Sequence, residues 1–428
     1  MDLEEETGIK WFCPEPYANI ITDTNGQYKP CCAAVGDGYK CSTKTHSPIE
    51  AMNSPEAKKF RKQFIDGEIP DACSTCVKQE DSGIKSHRQW YIDRYKQGSD
   101  EDFGSEFGFQ AQKIADLAHE VKQNPDRDIK PEWFHSMEHN APGGNYCNLK
   151  CAMCAASCSS SFAKESYDLN EMQGLDHHNR YGKHKYLPEV DDKVHKEMDY
   201  ILPRLGEIKL TGGEPLGIPY NYDLLQKAID LGCADQQILR VITNGTLNAS
   251  IKGKSIFDLI PHFRKVIFNI SIESWGARND YIRYPSDFNT ILSNASRYAD
   301  DFVNTDVTFV STINALNIGH IDEIYTKARQ HGSDFLDSVA VSYVVYDHPT
   351  GMNVAAVPDD IKEQYLDHYF SLPIDVAKRM QPYIKLLEET EHNPRTTKIL
   401  MKRMRDRDQL RGTNLLQLWP EWEPYYEG

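Results

Sequence analysis

The chain has 428 residues, which is enough for a full core domain and one or two smaller ones. Apolar residues make up 39% and charged residues 26%, and no apolar run approaches the roughly 18 residues that would span a bilayer. The formal net charge of −16 argues against a broad phosphate-binding surface, so a nucleic-acid partner is not expected.

The N-terminus and the cysteine usage indicate the compartment. Residues Met1 to Thr7 lack the basic and apolar regions of a signal peptide. The 11 cysteines are odd in number and concentrated in two clusters, which suits metal ligation in a reducing compartment better than a disulfide framework. We therefore expect a cytoplasmic protein with no membrane partner.

A β-hairpin is predicted near the start of the chain. The segments Tyr17 to Thr22 and Gln27 to Cys31 flank the dipeptide Asn25-Gly26. Asn-Gly adopts the positive φ angles of a tight hairpin turn. Such a hairpin brings Cys13 and the pair Cys31-Cys32 towards one end.

A helix is predicted after the hairpin. Ser47 stands three residues before Glu50, as in a capping box, and Ala51 to Ile65 continue the helical pattern until Gly67. The helix leads directly to a C-x2-C motif formed by Cys73 and Cys76.

This hairpin, helix and C-x2-C motif together resemble the SPASM/twitch module that accompanies many radical S-adenosylmethionine (SAM) enzymes. The resemblance implies one auxiliary [4Fe–4S] cluster with the ligands Cys13, Cys31, Cys73 and Cys76. Cys32 or Cys41 could replace one of these four ligands. A zinc ribbon is the alternative, because C-x2-C pairs are also typical of zinc sites. In the family this module usually follows the catalytic domain, whereas here it precedes it.

Residues 81 to 130 carry many charges and are predicted to be a connecting region with a helix near Ala111 to Gln123. A strand is predicted at Trp133 to His139, and a Pro-Gly-Gly turn follows it. That turn leads into a loop that contains a second group of cysteines.

The second group has the spacing C-x3-C-x2-C, formed by Cys147, Cys151 and Cys154. Iron–sulfur cubanes ordinarily take four cysteinates, so three leave one iron open, as catalytic metal sites do. The spacing resembles the radical SAM superfamily. That resemblance implies that SAM chelates the open iron and is cleaved to a 5′-deoxyadenosyl radical, with Met153 beside the adenine.

Two other interpretations of this loop stay open. A zinc clip could use the same thiolates. Cys158 extends the run to a fourth cysteine, which could close the cluster and make an electron-transfer site. We interpret Cys158 instead as the start of the following helix, because Ser159, Ser160 and Ser161 come next and the ferredoxin spacing is absent.

Strands and helices then alternate along the core. This alternation predicts right-handed βαβ units and a parallel sheet, and six units resemble the partial (β/α)6 barrel of radical SAM enzymes. An open doubly wound sheet is the alternative, but no G-x-G-x-x-G motif follows the first strand. The remaining strands are predicted at Glu207 to Thr211, Gln237 to Thr243, Lys265 to Ile272, Asp306 to Thr312 and Ser338 to Tyr346, with helices at Tyr222 to Leu231 and Ile318 to Gln330.

Chemistry in parallel barrels lies at the C-terminal ends of the strands. The second strand ends in Thr211-Gly212-Gly213-Glu214-Pro215, similar to the G-G-E-P motif of the family, whose backbone holds the SAM amino group. Thr243 and Asn244 match its T-N-G motif. Ser271, Glu273 and Arg283 match residues that reach the ribose, methionine and carboxylate of SAM, although Glu273 and Arg283 could instead form an ordinary surface ion pair.

Two further segments carry weaker signals. The insertion between Glu165 and Arg204 contains four histidines: His177, His178, His184 and His195. We interpret this insertion as a solvent-exposed polar segment and not as a metal site, because no two of the histidines have the i, i+4 spacing of helical metal ligands. After Pro358 amphipathic helices are predicted to pack outside the barrel. The run from Lys402 to Arg411 could contact a phosphate backbone, but its alternating charges favour a solvated helical face.

The expected organisation has four parts: an auxiliary module at 1–80, the connecting region at 81–130, a radical SAM core at 131–357 and a helical extension at 358–428. The family implies an electron donor such as a flavodoxin or ferredoxin. It also implies hydrogen abstraction from a substrate. The favoured substrate class is a peptide or protein side chain, and a small alcohol or sugar is the alternative. A non-catalytic iron–sulfur electron carrier is the alternative from another functional class.

Overall fold

The computed structural model describes residues 2–96, 105–175, 182–247, 250–251, 253–331, 339–344 and 351–426. In chain order, its strands are β1 Asn19–Thr22, β2 Tyr28–Lys29, β3 Ser136–His139, β4 Glu207–Leu210, β5 Ile238–Thr243, β6 Ser250–Ile251, β7 Lys254–Ser255, β8 Lys265–Ser271, β9 Thr305–Ile313 and β10 Val339–Val344.

The helices up to the middle of the chain are α1 Leu3–Thr7, α2 Glu15–Ala18, α3 Pro48–Met52, α4 Pro55–Ile65, α5 Ser74–Asp81, α6 His87–Lys96, α7 Ser105–Gln123, α8 Ser160–Met172 and α9 Asp192–Ile201. Those that follow are α10 Pro219–Asp230, α11 Ile256–Leu259, α12 Ala277–Ile282, α13 Phe288–Asp300, α14 Asp322–His331, α15 Asp359–Ser371, α16 Ile374–Glu389, α17 Pro394–Arg411 and α18 Glu423–Tyr426. Across the described ranges, no helix is long and apolar enough to cross a membrane.

The chain forms two compact units, whose limits differ from the predicted boundaries at 80, 130 and 357. The first unit contains residues 1–144, 186–241 and 251–266, and the second contains 145–185, 242–250 and 267–428. Each unit is therefore assembled from separate stretches of the chain.

In the first unit the strand order is β5-β4-β3-β1-β2. The pairs β5–β4 and β4–β3 are parallel, as predicted, and β1–β2 is the predicted antiparallel hairpin, with Ile21 opposite Lys29. The parallel pairing of β1 with β3, in which Asn19 lies opposite Ser136, was not predicted. The cysteine hairpin is thus continuous with the sheet of this unit.

In the second unit the strand order is β10-β9-β8, and β10 and β9 pair in parallel. The fold is therefore a mixed α/β fold with parallel strands, and the (β/α)6 barrel stays a prediction. The helices α15, α16 and α17 occupy the predicted C-terminal extension. The chain ends with Trp419 and Trp422 fully buried, which anchors that extension to its own unit.

Several helix boundaries differ from the prediction for local reasons. Ser47 and Glu50 form the predicted capping box, but the helix divides in two because Ser54 caps a new start at Pro55. The prediction that Cys158 begins a helix was wrong, since Ser159 is the N-cap of α8 and Cys158 lies in the loop before it. The residues His177, His178 and Ser338 lie outside the described ranges.

Candidate functional site

The loop with Cys147, Cys151 and Cys154 is held on both of its sides within the second unit. The backbone N–H of Lys150 donates to the carbonyl of Tyr284 at 2.6 Å, and that of Ala152 donates to the carbonyl of Ile282 at 2.7 Å. Cys147 and Cys151 are buried and Cys154 is half-buried, and all three pack in one cluster with Leu149 and Met153. The fold thus gathers the three predicted thiols in one small apolar cluster of side chains.

The thiols of this loop and their neighbours affect each other's pKa. Burial raises the pKa of Cys154 well above its usual value, and the charges of Cys158, Cys151 and Cys147 raise it further. Burial also raises the pKa of Cys151, whereas the Arg283 guanidinium lowers it. Thiols crowded in this way are hard to ionise unless a cation compensates them, and a bound metal centre provides such a cation.

Two polar side chains donate towards the sulfurs. Arg283 Nη1 lies 3.9 Å from Cys151 Sγ, and Asn244 Nδ2 lies 3.9 Å from Cys147 Sγ. Asn244 is fixed in place because its Oδ1 accepts from the backbone N–H of Thr246 at 2.9 Å. Hydrogen bonds to cluster sulfurs set the reduction potential of an iron–sulfur cluster. Arg283 and Asn244, predicted as cofactor-binding residues, therefore lie against the cysteine loop itself.

Glu273 and Arg283 form an ion pair, but the pair is buried and not on the surface. Arg283 Nη2 lies 2.5 Å and Nε 3.1 Å from Glu273 Oε1. The other oxygen, Oε2, accepts from Ser311 Oγ, the backbone N–H of Thr312 and Asn317 Nδ2. Burial raises the pKa of Glu273 to about 7, although Arg283 pulls it down.

This bonding decides what Glu273 can do. Both carboxylate oxygens are already engaged, so Glu273 holds Arg283 in position and ties it to strand β9. Arg283 in turn keeps one guanidinium nitrogen directed at Cys151. Ser271, the other residue predicted on this strand, is half-buried at the end of β8.

Two arginines of α17 clamp the cysteine loop, and neither was predicted to do so. Arg407 Nη1 donates to the carbonyl of Ala152 at 3.0 Å, and Arg411 Nη2 donates to the carbonyl of Lys150 at 2.7 Å. Arg411 also forms two hydrogen bonds with the buried carboxylate of Glu165, at 2.6 and 2.8 Å. The interpretation of this run as a solvated face was therefore wrong for Arg407 and Arg411.

The Thr211 to Pro215 turn belongs to the first unit. Gly212 has a φ of +103°, which only glycine adopts readily, and an added Cβ would lie 3.3 Å from Asn140 Oδ1. Glu214 is fully buried, and its Oε1 accepts from the backbone N–H of Leu216 at 3.1 Å. The Glu214 side chain thus caps the short 3₁₀ helix Pro215–Gly217.

The predicted auxiliary cysteines also come together within the first unit. Burial raises the pKa of Cys13 and Cys31, and the charges of Cys13 and Cys76 raise that of Cys31 further. Burial and the neighbouring Cys76 raise the pKa of Cys73 to about 12. The loop with Cys31 is joined to the C-x2-C segment by the hydrogen bond from Val35 N–H to the Ala72 carbonyl.

The two possible substitutes are placed differently. Burial raises the pKa of Cys41, and a hydrogen bond with Ser54 opposes this effect only in part. Cys32 lies beside Cys31 and is contacted by Lys209, whose Nζ is 3.7 Å from its Sγ. Lys209 Nζ also lies 2.8 Å from Glu138 Oε2 and 3.3 Å from the hydroxyl of Tyr91. Cys32 is therefore the substitute that lies with the other four, and a buried cation accompanies it.

Both groups of cysteines can be tested for fit to a metal centre. Over the described part of the chain, no three His, Cys, Asp or Glu side chains converge as ligands of a single metal ion. A four-iron cluster does not need such convergence, because each thiolate binds a different iron. Buried, crowded thiols with cationic and amide donors beside them fit a cluster of this kind.

Comparisons with known proteins gave neither a matching family model nor a matching curated protein. Solved structures gave low-similarity matches. The structure titled native anSMEcpe with bound AdoMet is 13% identical with a TM-score of 0.35, covering 65% of this chain and 62% of that one. Streptococcus suis SuiB bound to precursor peptide SuiA is 12% identical, with a TM-score of 0.32 and coverages of 68% and 62%. TYW1 with a lysine-pyruvate adduct is 12% identical, with a TM-score of 0.31 and coverages of 53% and 70%.

The chain thus spans less than two thirds of the length of two of these three structures. Identities of 12% to 13% and TM-scores of 0.31 to 0.35 are too low to assign an activity, a substrate or a partner to this chain. Its candidate site is therefore defined by its own residues: three gathered thiols, the Arg283 and Asn244 donors, and the two arginines that clamp the loop.

Proposed function

We propose that the protein is a radical SAM enzyme. A [4Fe–4S] cluster on Cys147, Cys151 and Cys154, with SAM on its open iron, would supply reductive cleavage of SAM to a 5′-deoxyadenosyl radical. The observation that carries this proposal is the packing of three thiols of a C-x3-C-x2-C loop in one buried cluster. A cubane held by these three thiolates would have one iron without a cysteine ligand.

The residues around the loop have separate tasks in this proposal. Arg407 and Arg411 fix the backbone carbonyls on either side of Cys151, so they hold the sulfurs at the spacing that a cubane needs. Asn244 and Arg283 direct N–H groups at Cys147 and Cys151 and so stabilise the thiolates. Glu273 is a positioning residue that orients Arg283.

The SAM contacts of the first unit are also part of the proposal. Two glycines lie in the turn from Thr211 to Pro215: Gly212, which has a positive φ, and Gly213, so no side chain shields the backbone at these two positions. The burial of Glu214 fixes the end of this turn. By its resemblance to the G-G-E-P motif, we assign the carbonyls of this turn to the SAM amino group.

In the second unit, we assign Thr243, Ser271 and Met153 to SAM contacts by the same kind of resemblance.

A second [4Fe–4S] cluster on Cys13, Cys31, Cys73 and Cys76 belongs to the same proposal. The mutual effect of these thiols on each other's pKa supports it, as does the buried Lys209 ammonium next to Cys32. A SPASM/twitch-like module of this kind favours a peptide or protein side chain as substrate, with a small alcohol or sugar as the alternative. A flavodoxin or ferredoxin is the proposed electron donor, and the proposed location is the cytoplasm.

The competing function is a non-catalytic electron carrier whose cluster is closed by Cys158. The observation in its favour is that the charge of Cys158 raises the pKa of Cys154, so the two thiols lie close together. The exposed position of Cys158 in the loop before α8 argues for the enzyme instead, since the three gathered thiols are buried or half-buried.

Formation of 5′-deoxyadenosine distinguishes the two functions. We expect the anaerobically reconstituted protein, reduced with dithionite, to convert SAM into methionine and 5′-deoxyadenosine, which liquid chromatography with mass spectrometry detects. The Cys158→Ala variant should do the same. The electron carrier would be favoured if the wild type held intact clusters but formed no 5′-deoxyadenosine. It would also be favoured if Cys158→Ala lost both one cluster and the formation of 5′-deoxyadenosine.

A further inference from the structure

A groove in the second unit reaches the cysteine loop. It lies between α8 and α17, has a volume of about 470 Å³, and is lined by Phe162 and Leu169 on one side and by Ile399 and Arg403 on the other. Cys154 also lines it. Because Cys154 is one of the three proposed cluster ligands, a molecule seated in this groove would lie against the cluster.

One face of α17 is strongly basic. The helix contains seven Lys or Arg and two Asp in a chain whose formal net charge is −16. Arg395, Lys398, Lys402 and Arg403 are spaced at i, i+3, i+7 and i+8, so they share one side of the helix with Ile399. The groove is therefore bordered by positive charge on a protein that is acidic as a whole.

Among the cations of α17, Arg407 and Arg411 pair with the buried Glu165. Of the four basic side chains that border the groove, Lys402 forms an ion pair, with Asp406 Oδ2 at 3.0 Å. Within the described ranges, no carboxylate lies at ion-pair distance from the side chains of Arg395, Lys398 or Arg403. Burial lowers the pKa of Arg403, against a weaker opposite effect of Asp406. An anionic group that entered the groove would relieve this uncompensated burial.

Apolar side chains are exposed beside the basic ones. Ile399 is 37% exposed and Leu410 is 40% exposed on α17, while Met172 and Leu175 are 42% and 54% exposed at the end of α8 and just after it. An apolar centre with a charged rim is the composition of a protein-binding surface. Nucleic-acid surfaces, by contrast, depend on contacts to phosphates. The occupant that fits is therefore an acidic protein.

We propose that the groove between α8 and α17 docks the electron donor, a small acidic protein that carries single electrons on a flavin or an iron–sulfur centre. The docking surface consists of Arg395, Lys398, Ile399, Lys402 and Arg403, with Cys154 lining the groove. This inference rests on the proposed function, because only a cluster at Cys154 gives an electron carrier a reason to bind there. Charge at the rim sets the rate and salt dependence of association.

The test measures the binding of an acidic flavodoxin to the reconstituted protein by isothermal titration calorimetry at several salt concentrations. The variant Lys398→Glu/Lys402→Glu reverses two exposed charges and leaves Arg407 and Arg411 intact. We expect its Kd to rise at least about tenfold at low salt, and the affinity of the wild type to fall as salt increases. Lys378→Glu, which reverses an exposed charge on α16, should change Kd less than about twofold.

Activity with two reductants separates this inference from the proposed function. The double variant should form 5′-deoxyadenosine with dithionite as well as the wild type does, but more slowly with reduced flavodoxin. Unchanged flavodoxin affinity in the double variant would overturn the docking site. The proposal would also be overturned if the double variant lost binding to RNA or to an acidic peptide while it kept its binding to flavodoxin. A protein that forms no 5′-deoxyadenosine with dithionite but still binds flavodoxin at this face would contradict the proposed function alone.

Discussion

Replacing Cys151 with Ala is expected to remove one cluster and abolish 5′-deoxyadenosine formation. Two cubane clusters contain about eight irons, so the reconstituted wild type should hold about seven or eight irons per chain and Cys151→Ala about four. Cys151 is buried in one cluster with Cys147 and Cys154, and the hydrogen bonds of Lys150 and Ala152 hold the backbone on both sides of it. Iron and sulfide analysis and the visible absorption spectrum measure the change.

Two control variants make this result specific. Cys158→Ala should keep the full iron content and the activity, because Cys158 lies in the loop outside the buried cluster of thiols. Cys233→Ala removes a buried thiol whose Sγ contacts the Ala228 carbonyl, and it should also keep both clusters. Wild type with about four irons, or zinc in place of iron at Cys13 and its partners, would contradict the two-cluster proposal.

Replacing Arg411 with Met is expected to destabilise the second unit and loosen the cysteine loop. The Arg411 side chain is 3% exposed and that of Glu165 is 1% exposed, so the variant leaves a buried carboxylate without its closest cation. A buried charge left with no partner costs about 3 to 5 kcal/mol, but Arg407 Nε at 3.5 Å and Lys150 Nζ at 3.8 Å remain beside Glu165. We therefore expect a loss at or below the lower end of that range, about 3 kcal/mol. The substitution also removes the hydrogen bond to the Lys150 carbonyl, so the variant should retain less iron after gel filtration.

Urea unfolding followed by circular dichroism measures the loss of stability. The matched control is Arg297→Met, because Arg297 lies 3.8 Å from Asp301 in a pair that is 45% and 50% exposed. Such surface pairs contribute less than about 1 kcal/mol. Equal stability losses in Arg411→Met and Arg297→Met would show that α17 does not clamp the loop.

Local sequence signals predicted much of the fold. The Asn25-Gly26 turn predicted the hairpin, and Ser47 with Glu50 predicted a capping box, because both depend on residues a few positions apart. The alternation of strands and helices predicted parallel pairing. The pairing of β1 with β3 had no such signal, since Asn19 and Ser136 are separated by 117 residues.

In the candidate site, too, local features could be predicted from the sequence and contacts between distant residues could not. The C-x3-C-x2-C spacing is local, so the three thiols could be identified from the sequence. The clamp on their loop could not, because Arg407 and Ala152 are 255 residues apart and Arg411 and Lys150 are 261 apart. The contact of Lys209 with Cys32, across 177 residues, is another example. Alternating charges on α17 suggested a solvated face, although only tertiary packing decides which arginines are buried.

The most direct test of the central claim is whether SAM binds to an iron that lacks a protein ligand. SAM labelled with ¹⁵N at the methionine amino group can be added to the reduced protein, and electron–nuclear double resonance then detects contact between the label and the cluster. We expect a ¹⁵N coupling in the wild type and an unchanged coupling in Cys158→Ala. An intact reduced cluster that shows no ¹⁵N coupling with SAM present would contradict the account, because a fourth protein ligand would then occupy that iron.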